Sequence, residues 1–516
     1  MKIINDPIYR YIRLSDIAVQ IIDTPLYERL NSIRQTSMAY RVFPSATHTR
    51  KSHQIGVYGL VQKTLDALIQ QRRLIVSDQN QPMSCSAMTR HCHQGGVPTI
   101  TSSEYEWICI GGLVHDLGHG PSSHSFDELI EEFVSEGLVE PTNPWITHES
   151  RGKDMFRRLI VEHRIPIDEE GVEYICNVIE PNRDHKHDFR FQFVNNRVCG
   201  LDLDKMEYIL RDTREFGLSC TIDIDRIITN AGIHLHLRDS PTWATHLSSL
   251  VTRTESAIGT AIESVSPLVE SVARRVGGPV GGPVGDPVGR QVGQTEVFRM
   301  ITGGQLSELI EMVHRRSIEQ MGTYWSFNEK VVGDIFHLFM TRFRLYKEIY
   351  SHPKVIKFEM SYRDLLVSQK EEIVRTICDM DVSRFVEMTD ESMFWRAPRE
   401  LRDRFIRRDT YRLVDPEPNC GLGIGWVSAK GSAKTDSVKT DSAKTDGENL
   451  SEELPKIRVE RTVGFLGKNG FNPFLHIRFF DKRTDKLVKI RLADISGLLT
   501  ANFTSEKLVF CYEKSV

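Results

Sequence analysis

The sequence predicts a mainly α protein with a small α+β lobe at its C-terminal end. Three features lead there. Apolar residues recur at helical spacing over most of the first 415 residues, short β-rich runs replace them afterwards, and repeats of Gly/Pro or of mixed charge interrupt the pattern without extending it. With 516 residues the chain can bury a large core, divided among roughly two to four structural units. A hydrophobic content of 40% and a charged content of 26% are ordinary for a globular chain. The net charge of −4 argues against a uniformly basic nucleic-acid binder and leaves room for local basic patches.

Taken in order, residues 16–30 ("DIAVQIIDTPLYERL") show helical spacing around an internal "DTP", a cap followed by a first-turn proline. Residues 57–69 and 108–117 read as buried helices, as do 156–161, 172–179, 333–350 and 362–377. Beyond about residue 415, "FLHIRFFDKR", "LVKIRLADI" and "KLVFCYEKS" are short β-rich runs joined by turn residues. Three segments look inserted. Residues 77–101 are polar and aperiodic, residues 276–294 are a four-residue Gly/Pro repeat, and residues 428–447 are a mixed-charge repeat. The last two read as disordered linkers, because proline removes backbone donors, glycine adds unfolded-state entropy, and dense charge stays solvated. The "HCH" at His91–His93 lacks further ligands at zinc-finger spacing.

Nine cysteines without a CxxC suit a reducing compartment. No apolar run approaches the roughly 18–20 residues of a membrane span, so no membrane partner is expected. "MKIINDPIYRYIRL" lacks the apolar region of a signal peptide, and a nuclear or cytosolic location is the expectation.

The chemistry concentrates in "GGLVHDLGHGPSSHSFDEL", where His115, Asp116, His119 and His124 fall within ten residues of an otherwise core-like segment. Helical spacing would put His115 and His119 on one face. An adjacent imidazole and carboxylate suit a borderline metal such as Fe, Mn, Zn or Ni. Further ligands must come from elsewhere: "HTRKSH" (His48 to His53) offers histidines, and "GLDLDKMEYILRD" offers Asp202 and Asp204. The competing explanation, that each histidine caps a helix or satisfies a buried carbonyl, fits any one of them better than it fits the set.

That H…HD…D order resembles the HD-domain phosphohydrolases. "MKIINDPIYRYIRL", "IIDTPLYERLNSIRQ", "VFPSATHTRKSHQIGV", "GLVHDLGHGPSSHSFD", "WITHES", "GLDLDKMEYILRD", "MTRFRLYKEIYSHPKV" and the tail resemble, in the same order, the vertebrate sterile-alpha-motif and HD-domain deoxynucleoside triphosphate (dNTP) triphosphohydrolase family. The resemblance runs over nearly the whole chain outside the inserts and begins at the catalytic core, so the sterile-alpha-motif domain is expected to be lacking. It implies an HD-domain helical core. Residues 1–235 would be its first part, with a polar insert near 77–101, and 236–326 an inserted, partly disordered Gly/Pro segment. Residues 327–415 would continue the core and its effector sites, 416–455 would be a low-complexity linker, and 456–516 the α+β lobe.

Carried over motif by motif, the resemblance makes His53, His115, Asp116 and Asp204 the ligands of a divalent metal, whose identity as Fe, Mn or Zn stays open, with Mg accompanying the nucleotides. His119, His124 and His148 would surround the α-phosphate, His148 as the general acid, with Asp127 orienting one of these rings. Gln35, Arg50, Lys205, Tyr208, Asp212, Arg342 and Tyr350 would hold the dNTP: cations and donors on the triphosphate, Asp212 on the 3′-hydroxyl, Tyr350 where a 2′-hydroxyl would sit. Lys2, Ile3, Asp23, Arg226, Lys330, Arg408, Arg412 and Lys468 would bind GTP and dNTP effectors that assemble a homotetramer. The implied role is restriction of dNTP pools, and thereby antiviral defence, in the nucleus.

Departures stand beside these matches. Glu28 and Asn31 replace glutamine and arginine in the guanine pocket, Asn328 replaces an effector-site arginine, Asp334 an asparagine, and Ser351 a glutamine beside the sugar-packing tyrosine. An asparagine in place of arginine removes a charge-assisted bond. Two other readings stay open: an HD phosphohydrolase of another nucleotide, and a catalytically decayed nucleotide sensor or single-stranded nucleic-acid scaffold.

Overall fold

The structure, a computed structural model, describes residues 2–77, 81–238, 321–414, 456–464, 472–495 and 505–514. The chain divides into two compact units, one of Met1–Met83, Val97–His234 and Tyr324–Val516, the other of Ser84–Gly96 and Leu235–Thr323. The first is mainly α, and every residue discussed as a site below belongs to it.

The chain opens on an antiparallel hairpin, Lys2–Asp6 with Arg10–Leu14, which the sequence reading missed. Its long helix Arg50–Gln70 starts at a capping box, Thr49 with Ser52, and buries Val57, Leu60, Val61, Leu65 and Leu68. It packs against Ser102–Val114, which Thr101 and Glu104 cap in the same way, and against Leu203–Glu215, capped by Asp202. Glu169–Ile179 covers another side of Ser102–Val114. The helix read over 108–117 stops three residues early: Val114 is its last residue and His115–His119 form a turn. His115 and His119 therefore do not share a helix face.

Val332–Arg344 continues into one wider π turn, Leu345–Tyr350, and Pro353 starts the next helix, Pro353–Val367. Such turns cluster at functional sites; this one presents Tyr350.

The segment 77–101 is ordered where described. Cys85–His93 is a helix capped by Ser84, and Ile75–Ser77 pairs in parallel with Thr99–Thr101. Met321–Asn328, which the sequence reading left mostly inside the insertion, is a strand with Tyr324, Trp325 and Phe327 buried. The Gly/Pro repeat at 276–294 and the mixed-charge repeat at 428–447 lie outside the described residues, as does Lys468.

The β-rich tail is shared between two sheets. Arg478–Phe480 adds in parallel to Met321–Asn328, while Ser505–Lys514 lies between Tyr411–Val414 and Lys456–Gly464, antiparallel to both. Ile356 of helix Pro353–Val367 packs with Tyr411, Val459 and Tyr512, joining this sheet to the helices. No described helix is long and apolar enough to cross a membrane.

Candidate metal centre and anion pocket

Folding brings His53, His115, Asp116 and Asp204 together from three places in the chain. His53 sits in the first turn of Arg50–Gln70, His115 and Asp116 follow the end of Ser102–Val114, and Asp204 lies in the first turn of Leu203–Glu215. Asp204 Oδ1 is 3.0 Å from His53 Nε2 and 3.4 Å from His115 Nε2. His53, His115 and Asp116 offer ligand atoms within 4.8 Å of one another.

The donor set fits a divalent cation. His115 Nδ1 donates to the Gly112 carbonyl at 2.9 Å, so its Nε2 is the lone-pair nitrogen, and that buried atom has no hydrogen-bond partner. His53 Nδ1 donates to Glu207, which likewise turns Nε2 toward Asp204. Two imidazole nitrogens and two carboxylates suit a borderline metal. Asp202, the other acid of that motif, does different work: it caps Lys205 N at 3.0 Å and pairs with Lys205 Nζ at 2.8 Å.

A second cluster adjoins the first. His119 stacks on His148 with ring centroids 4.0 Å apart, and His124 meets both rings edge-on. His148 Nδ1 donates to Asp127 Oδ2 at 2.5 Å, and Asp127 Oδ1 accepts from Arg151 at 2.6 Å. Burial would lower the His148 imidazole, but the bonded Asp127 carboxylate outweighs it and raises it above the usual value. Burial and the Arg50 charge push His124 down to about 4 and His119 well below the ordinary histidine range. The one carboxylate-bonded imidazole is thus pushed toward its charged form and the other two toward their neutral forms. His119 lies 3.2 Å from Asp116 Oδ1, although neither ring nitrogen is aligned for a hydrogen bond.

Arg50 links the clusters. Its guanidinium donates to Asp116 at 2.5 Å, to Ser123 Oγ at 3.1 Å and to the Gln35 carbonyl at 3.3 Å. Ser122 and Ser123 both have positive φ, 65° and 57°, a strain that recurs at binding sites. Asp390 holds this turn by accepting from Ser122 N and Arg34 N, each at 2.7 Å.

Farther along, Arg342 donates to Tyr208 Oη at 2.8 Å, and Tyr350 donates to Asp212, whose other oxygen lies 2.6 Å from His48 Nε2. Among the effector-site candidates, Lys2 pairs with Asp23 at 2.8 Å beside exposed Ile3, and Arg226 contacts both Asp334 and the Lys330 carbonyl. Arg408 donates to the Arg41 carbonyl and Arg412 faces Glu513; neither bonds to Lys2 or Asp23.

Sequence reasoning missed Glu207, Arg151, Ser123 and Asp390; His48, offered there only as a histidine source for the metal, instead meets Asp212. Glu207 follows Asp204 by three residues and Arg151 follows His148 by three, a spacing that marks one helix face. The other two carry no local signal.

No family model matches the chain. It is 33% identical over 257 residues to the human deoxynucleoside triphosphate triphosphohydrolase SAMHD1, covering 45% of this chain and 36% of that protein. A putative HD domain-containing protein of Acanthamoeba polyphaga mimivirus is 30% identical over 233 residues, 44% of this chain and 46% of its own length. The Dictyostelium discoideum SAMHD1 homolog is 29% identical over 229 residues, 44% and 39% respectively. These are homologues of its HD region. The chain spans less than half the length of each, and the aligned stretch is narrower than the resemblance read from the motifs.

Proposed function

We propose that this chain is a metal-dependent hydrolase that splits dNTPs into deoxynucleoside and inorganic triphosphate. One observation carries the reading: a two-His, two-Asp ligand set adjoins Arg50 and the packed imidazoles of His119, His124 and His148, the last bonded to Asp127. His53, His115, Asp116 and Asp204 would hold the ion. When bound, it supplies Lewis acidity and acidifies water.

The chain's own residues do the rest. Arg50, fixed by Asp116 and Ser123, would offer charge-assisted bonds to phosphate oxygens, as would Lys205 and Arg342. Water attacks the α-phosphorus, losing one proton to solvent, and the bond to the 5′ oxygen breaks. His148 gives its Nε2 proton to that oxygen, and Asp127 stabilises the charged ring beforehand. Tyr350 on Asp212 closes the sugar side, which supports exclusion of a 2′-hydroxyl. The test is to incubate the protein with each dNTP and rNTP, with and without GTP and chelator, and resolve the products. Triphosphate release from dNTPs supports the reading. Pyrophosphate with monophosphate, or salt-dependent single-strand binding without turnover, overturns it.

Regulation is the finer part of the proposal. GTP and dNTP effectors would bind around Lys2, Ile3 and Asp23 and around Arg226 and Lys330, assembling a homotetramer that limits nuclear dNTP pools in antiviral defence. The exposed Lys2–Asp23 and Arg226–Asp334 pairs support it, as ready donors and acceptors at the surface. Sedimentation with and without GTP and a dNTP tests it; a mass unchanged by nucleotide refutes it.

A further inference from the structure

We infer that Glu207 is the positioning residue for His53, and that the N-terminal hairpin holds Glu207 in place through Asp6 and Arg211. The inference rests on the metal reading above. His53 and Glu207 are both wholly buried and joined through His53 Nδ1. Donation from Nδ1 to a carboxylate fixes the tautomer, aims Nε2 at the ion and raises its basicity.

A lone buried carboxylate would be costly, so Glu207 needs a cation. Arg211, one turn on in the same helix, donates from Nε to Glu207 Oε1 at 2.6 Å. Its Nη2 donates to Asp6 Oδ2 at 2.8 Å, and all three charged groups are buried. Asp6 is itself pinned. Its other oxygen accepts from Ile8 N at 2.8 Å and Tyr9 N at 3.0 Å, in the turn that connects the two hairpin strands. A chain of hydrogen bonds therefore runs from the hairpin turn to the metal-facing imidazole, crossing 205 residues of sequence at the Asp6–Arg211 step.

The opposing helix leaves room for this relay at one position. A Cβ on Gly56, three residues after His53, would stand 2.2 Å from Glu207 Oε1 and 2.6 Å from Arg211 Nη2. Glycine there lets the carboxylate and guanidinium lie directly against the backbone of Arg50–Gln70.

The experiment measures Mn2+ affinity from the EPR signal of free ion, alongside the melting temperature in chelator. Glu207→Gln should weaken binding by about 10–100-fold. Asp6→Asn and Gly56→Ala, which touch no ligand, should weaken it in the same direction by smaller factors. Glu104→Gln breaks a buried pair with Arg190 at the opposite end of Ser102–Val114 from His115, and serves as the control: it should lower the melting temperature and leave Mn2+ affinity unchanged. Unchanged affinity in Glu207→Gln overturns the proposal, as does a loss that Glu104→Gln reproduces at equal destabilisation. Wild-type protein that binds no Mn2+, with Asp204→Ala identical to it, overturns the metal reading and this relay together.

Discussion

Gly118→Ala should disable the site without touching a ligand or a substrate contact. Gly118 lies in the turn between Asp116 and His119, and its carbonyl accepts from Arg151 Nε at 2.7 Å. A Cβ there would stand 2.1 Å from the His148 carbonyl oxygen and 2.5 Å from Gly152 N. Both are backbone atoms in the first five residues of His148–Glu162, so no side chain can swing away. Ordinary contact begins near 3.4 Å, so the helix end must retreat by roughly 1.3 Å. His148 would move with it, leaving its 4.0 Å stack on His119. Overpacking of this kind costs about 1–3 kcal/mol of stability, and a displacement near 1 Å costs about 100-fold in kcat. Gly152→Ala supplies a graded comparison, because its nearest atom, Gly118 N, is 3.1 Å away and must yield by only a few tenths of an ångström. The assay is steady-state triphosphate release from each variant, with thermal unfolding and metal content measured on the same preparation. A Gly118→Ala protein with wild-type kcat, or one impaired no more than Gly152→Ala, refutes the reasoning.

Asp204→Ala should abolish turnover and lower bound metal in a chain that still folds; undiminished hydrolysis removes Asp204 from the ligand set. Because Asp127 raises His148, its acid form persists to higher pH than a free imidazole's, and activity should fall as pH rises through the His148 pKa, above 6.5. Asp127→Asn should move that alkaline limb to lower pH, and a limb that stays put in a pH–rate profile counts against His148 as the acid. Arg190→Met should destabilise the protein by about 3–5 kcal/mol in denaturant titration, since it strands Glu104 and Asp188, both buried, without their cation. A loss under 1 kcal/mol, the ordinary size of a surface pair, would show that these carboxylates find other partners. Asn31→Arg should strengthen activation by GTP; an unchanged activation curve argues that the guanine contact is made otherwise.

Much of the helical frame was legible because its signals are local. The apolar spacing of 57–69 and 172–179 and the proline of "DTP" report helices through contacts a few residues apart. Element ends were less legible. The helix read to residue 117 stops at Val114, because the following backbone turns to point His115 and His119 into different clusters. The hairpin at the N-terminus was missed: Asn5 opposite Tyr11 and Lys2 opposite Leu14 are pairings between strands, invisible to a window along one segment. The β-rich tail was recognisable as β-rich, yet its partners were not, since Met321–Asn328 and Tyr411–Val414 lie far upstream.

The same division runs through the site. By itself the sequence determined which chemistries are available: histidines and carboxylates able to bind a cation, arginines and lysines able to meet phosphate, in an order that repeats a known family's motifs. Those are properties of residue type and spacing. Tertiary structure alone decided which nitrogen of His115 is free, in which direction each buried histidine's pKa moves, and why Asp202 and Asp204, two residues apart, take unrelated tasks. The physical reason is that protonation and tautomer are set by neighbours within a few ångströms, and those neighbours, Glu207 for His53 and Asp127 for His148, arrive only when distant helices pack.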